Sequence, residues 1–111
     1  MPVSYTLEVT FQDPAVAEEW TEWMRGGHMQ ALLAHGADRA ELVRWSDAET
    51  IDDEIRFTAR YRFPTRADFD AYIAQHAEEL RNDGMKRFPP SRGIVYSRTV
   101  GEILLPYEEE A

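Results

Sequence analysis

Residues 54–63 read EIRFTARYRF, and the alternation in that stretch decides the fold. Ile55, Phe57, Ala59, Tyr61 and Phe63 fall on one face of an extended chain, and Glu54, Arg56, Thr58, Arg60 and Arg62 fall on the other. Side chains along a strand point alternately to its two faces, so this is a strand with one side in a core and one side out of it. Pro64 has no N–H to give a ladder and ends the strand.

Moving outward, residues 3–11 repeat the pattern, with Val3, Tyr5, Leu7, Val9 and Phe11 on one face and Ser4, Thr6, Glu8 and Thr10 on the other. Residues 39–46 form a shorter strand whose facing is ambiguous, because its apolar Leu42 and Val43 are neighbours. Residues 93–105 read as a last strand, bent near Gly101. Two helical stretches separate these strands. Asp13-Pro14 is an N-cap followed by proline at the first helical position. Val16, Trp20, Trp23, Met24, Gly27, Ala31 and Ala34 then recur at helical spacing up to Gly36. Gly26-Gly27 interrupts that helix, each Gly costing about 1 kcal/mol relative to Ala. The pair reads as a kink or a close approach to the sheet, with room for a ligand beside His28 as the other reading. In the second stretch Thr65 and Asp68 resemble a capping box with Asp in place of Glu. Phe69, Tyr72, Ile73, His76, Ala77 and Leu80 form its stripe, Gly84 reads as its stop, and Pro89-Pro90 is a rigid break.

The order is β-α-β-β-α-β. This is an α+β arrangement of the ferredoxin-like type, a four-stranded antiparallel sheet with two helices on one face. A chain of 111 residues builds one such domain, over 1–105, followed by an acidic tail over 106–111. No apolar run approaches the length of a membrane span, no secretory signal pattern opens the chain, and there is no cysteine, which together point to the cytoplasm. The net charge of -9 disfavours nucleic acid and anionic membranes. Eight of the negative charges lie in Asp47, Glu49, Asp52, Asp53, Glu54 and Glu108 to Glu110, so the remainder is nearly neutral. Of the 12 basic residues only Lys86 is not arginine, which fits a GC-rich genome or a set of flat guanidinium grips for anions.

The uncovered sheet face would carry Glu8, Arg56, Arg60 and Arg62 among Ser and Thr residues. A two-fold axis pairs a patch with itself, and mixed Glu and Arg can be self-complementary, so this face is expected to close a homodimer.

The run Glu19-Trp20-Thr21-Glu22-Trp23-Met24, His28, Leu32-Leu33 and Gly36 resembles a small bacterial family of unknown function in the dimeric α/β-barrel superfamily. Ala59-Arg60-Tyr61, Phe69-Asp70-Ala71-Tyr72, His76 to Arg81, Phe88 and Arg98 continue the resemblance over nearly the whole chain. It implies a ferredoxin-like fold and a dimer, and no reaction. Gly26-Gly27 and Pro89-Pro90 depart from the family's pattern.

One constellation could carry chemistry. Trp23, His28, Tyr72, His76 and Arg98 would meet if the helices pack on the face that Arg98 shares with Ile94, Tyr96 and Val100. Arg98 would hold an anionic or carbonyl oxygen in a pocket between helices and sheet, and His28 or His76 would act as general base. The bland alternative makes the aromatics core and pairs Arg98 with an acid. No metal site, cofactor fingerprint or phosphate cradle is present in the sequence, and neither a cofactor nor a metal is expected. The functions that remain are a small-molecule-binding dimer, a non-catalytic dimeric protein-interaction module and, by fold analogy alone, a cofactor-free monooxygenase-like enzyme.

Overall fold

The computed structural model describes residues 1–46 and 54–105. The acidic stretch 47–53 and the tail from 106 lie outside the described residues. The four strands are β1 (Val3–Phe11), β2 (Arg39–Arg44), β3 (Ile55–Phe63) and β4 (Ile94–Glu102). They form one antiparallel sheet in the order β2-β3-β1-β4, with β1 and β3 in the centre. The alternating stretch of β3 is paired on both sides, with β1 and with β2.

The register resolves the ambiguity in β2. Leu42 lies opposite Ala59 and turns inward with it, whereas Val43 lies opposite Thr58 on the outer face. It also corrects the expected bend in the last strand, since Gly101 stays in the ladder opposite Ser4 and pairing continues to Glu102.

Each helical stretch is an α-helix interrupted over five residues. The first is α1 (Pro14–Trp23), a segment (Met24–His28) that kinks at the non-helical Gly27, and α2 (Met29–Ala34). The second is α3 (Arg66–Tyr72), a π segment (Ile73–Ala77) and α4 (Glu78–Arg87). Asp13 caps α1 by accepting a hydrogen bond from the Ala15 N–H at 2.9 Å. At the start of α3 the Thr65 hydroxyl accepts from the Asp68 N–H at 3.1 Å and donates to the Asp68 carboxylate at 2.8 Å. The second stretch does not stop at Gly84. It continues to Arg87, and a short 3-10 turn (Pro90–Arg92) after the proline pair leads into β4.

The core lies between the helices and the inner sheet face. Trp20, Phe11 and Phe57 meet there as tilted and edge-on rings 5.2 to 5.7 Å apart. Such pairs add about 0.5–1.5 kcal/mol each beyond the area they bury. Tyr5, Phe63, Phe69 and Tyr72 form a second aromatic group at the other end. The helices do not cover the sheet evenly: α1 packs on β1, α2 on β2 and α3 on β3, while the short 3-10 turn packs on β4. The inner face of β4 is left open along its second half.

Candidate functional site

The kink at Gly27 sets the position of His28. An α-helix repeats every 3.6 residues, and the break resets that repeat, so the buried stripe jumps from Met24 to Met29, five positions on. Trp23 and His28 are five apart in the same way, and their rings stack at 4.2 Å with planes 24° apart. Phe88 packs on Trp23 from the second helical stretch at 5.4 Å. Gly27 makes the kink possible with a φ of 151°, in the region that suits glycine. No atom lies within 4 Å of where a Cβ would stand on Gly26 or Gly27, so the pair marks a kink and not a close approach to the sheet.

Arg98 lies opposite Leu7 and therefore on the helix-facing side of β4. It is exposed, because the helices end short of that edge. Its charge still reaches the interior. Burial holds the His28 pKa below the ordinary value, with the Asp83 carboxylate opposing that shift and Arg98 adding to it. Burial pushes the Tyr72 phenol up to about 12, helped by Tyr5 and opposed by the cations Arg81 and Arg98. Burial also raises Tyr96 to about 12, again against Arg98. Near neutral pH the cluster thus presents an uncharged imidazole, uncharged phenols and one exposed guanidinium.

The structure stacks His28 on Trp23 and lets the charge of Arg98 act on both His28 and Tyr72, while His76 lies elsewhere. The π segment of the second stretch makes the buried stripe jump from Tyr72 to Ala77. His76 is turned off the Tyr72 face and stacks on His35, ring centres 3.6 Å apart. Residues that the sequence reading missed complete the cluster. Tyr5 accepts a hydrogen bond from Arg81 at 3.2 Å, and Tyr96 donates to the Phe88 carbonyl at 2.7 Å. Both tyrosines lie at inward positions of their strands, which was the available signal.

Four of the grooves on the described surface hold about 300 to 710 Å³ each, and none of these four is lined by Trp23, His28, Tyr72, His76 or Arg98. The cluster is open beside β4. Arg98 has no ion-pair partner among the described residues. No group of three side chains able to ligate a metal comes together among them, and none of their helices is long and apolar enough to cross a membrane.

On the outer sheet face Glu8 lies directly opposite Thr58, diagonal to both Arg56 and Arg60. Arg60 pairs instead with Glu41 at 3.6 Å, and Arg62 with Asp38 at 2.7 Å. The Trp45 indole lies over this face and donates to the Thr58 hydroxyl at 2.7 Å.

Residues 4–102 match the model of a domain of unknown function, DUF4286. No curated protein matches the chain in sequence. Among solved structures, the chain is similar to a dimeric ferredoxin-like protein from an uncultured marine organism. The TM-score is 0.73 at 12% identity, over 95% of this chain and 97% of that one. SnoaB, a cofactor-independent oxygenase from Streptomyces nogalater, matches with a TM-score of 0.62 at 14% identity, over 97% and 98% of the two chains. A DABB-family protein with a ferredoxin-like fold from Mesorhizobium loti matches at 0.61 and 13%, over 93% and 97%. At these identities the likeness is one of fold.

Proposed function

The chain belongs to DUF4286, a family whose function is unknown, and on that premise we propose that it is a homodimeric protein that binds a small ligand through an anionic or carbonyl oxygen. The observation that carries this reading is Arg98, an exposed cation without an acid partner among the described residues, set on the inner side of the sheet where its charge acts on half-buried His28. A guanidinium there is hydrated until a ligand oxygen takes its fork of donors. His28 in its neutral form can accept a proton from a ligand held at Arg98.

A panel of small aromatic carboxylates and carbonyl compounds, screened by thermal shift, tests the site. A ligand at 100 times its dissociation constant stabilises the fold by about 2.7 kcal/mol. The expected result is a shift in the wild type that disappears in Arg98→Ala. Equal shifts in both, or none across the panel, would overturn the reading and favour a protein-interaction module. The dimer is tested separately by light scattering, where a mass of one chain at micromolar concentration would exclude it.

A further inference from the structure

We infer a second ligand site on the opposite flank of α1, in the groove that separates that helix from β2 and β3, and its ligand is a small zwitterion with an apolar body, of the type of an apolar α-amino acid. The groove encloses about 680 Å³, within the range of small-molecule sites. Ala17, Leu42, Ile55 and Phe57 give it apolar surface. Charges of both signs border that surface. Glu18 and Glu22 stand one helical turn apart on α1, Arg25 follows on the same helical stretch, and Arg44 comes from the edge strand β2.

The four charges leave one another unpaired. Arg60, Arg62, Arg66, Arg87 and Arg92 each take a carboxylate elsewhere on the surface. Arg25, Arg44, Glu18 and Glu22 form no ion pair among the described residues, although they line the same groove. A lone anion there would meet two carboxylates, and a lone cation would meet two guanidinium groups. A ligand that carries both an ammonium and a carboxylate satisfies both sets at once. Arginine holds a carboxylate as a two-pronged fork, which fixes the ligand's direction. The apolar surface then selects for a hydrophobic side chain over glycine-sized ligands.

This site is independent of Arg98, and a titration separates the two. L-phenylalanine, phenethylamine and 3-phenylpropionate share a body and differ in charge. Followed by amide NMR shifts, L-phenylalanine is expected to bind about tenfold or more tightly than either analogue, shifting Ala17, Thr21 and Leu42. Arg44→Ala should weaken L-phenylalanine and 3-phenylpropionate and spare phenethylamine. The double variant Glu18→Gln, Glu22→Gln should weaken L-phenylalanine and phenethylamine and spare 3-phenylpropionate. Arg98→Ala should change none of them. All four groove charges are exposed, so the variants should keep the wild-type melting profile. No saturable shift with L-phenylalanine, equal affinity for the three compounds, or loss of binding in Arg98→Ala would each overturn the inference.

Discussion

His28 couples burial to protonation at a single side chain. Its imidazole stacks on the Trp23 ring, with Asp83 favouring the charged form and Arg98 opposing it. Burial dominates, so the folded pKa lies below the ordinary value of 6.5. Just below that value the unfolded chain binds a proton that the folded chain resists, and stability rises with pH. The contribution is complete above the ordinary pKa and is lost as pH falls through the folded one. Urea unfolding at pH 7.5 and pH 5.5 should therefore show a larger acid loss for wild type than for His28→Gln; parallel losses would count against it. The two glycines before His28 should behave oppositely. Gly27 sits at φ 151°, and Gly27→Ala should cost about 1 kcal/mol or more. Gly26 has no positive φ and open space where a Cβ would go, so Gly26→Ala should gain about 0.5–1 kcal/mol. Denaturant midpoints of the two variants decide the signs.

At the scale of elements, the strands were legible and the helices only partly so. Strict alternation in β1 and β3 leaves no freedom over which residues turn inward, and the register confirms it residue by residue. The inward position of Arg98 followed from the same alternation. Its exposure did not, because that depends on how far the helices reach across the sheet. The stripes of both helices were read with regular α spacing, which put His76 beside Tyr72. A kink at Gly27 and a π turn over Ile73–Ala77 lengthen the steps to five, Met24 to Met29 and Tyr72 to Ala77, and the second turns His76 onto His35. Gly84 misled for a related reason. It reads as a helix stop, yet it lies inside α4 because the Trp23 indole fills the space where its side chain would stand. A Cβ there would approach the Trp23 ring at 3.3 Å. Gly→Ala inside a helix ordinarily gains about 1 kcal/mol. Trp23 is held by His28 on one side and Phe88 on the other, so Gly84→Ala should forfeit that gain and alter tryptophan fluorescence. A full gain with an unchanged spectrum would show that Trp23 moves freely.

At the scale of the whole molecule, the outer sheet face decides whether one chain is enough. It is polar in the middle and carries exposed apolar side chains at one end, Trp45 at 47% and Val95 at 64% exposure. Arg60 and Arg62 already have acid partners on β2 or just before it, whereas Glu8 and Arg56 form no ion pair among the described residues. In the proposed dimer a two-fold axis through this face brings Glu8 of one chain towards Arg56 of the other, twice. Charge reversal then tests the interface without touching the core. Glu8→Arg alone and Arg56→Glu alone each place like charges across the axis, while the double variant restores opposite ones. Coupling between close interfacial charges is about 1.5 kcal/mol or more, hence roughly tenfold or more in dissociation constant. Sedimentation or light scattering across a dilution series should find both single variants dissociating at higher concentration than wild type, with the double variant recovered. Wild type and dimeric variants should also melt at temperatures that rise with protein concentration, since association stabilises only the folded chain. Two single variants that dimerise as well as wild type would place the contact on another face.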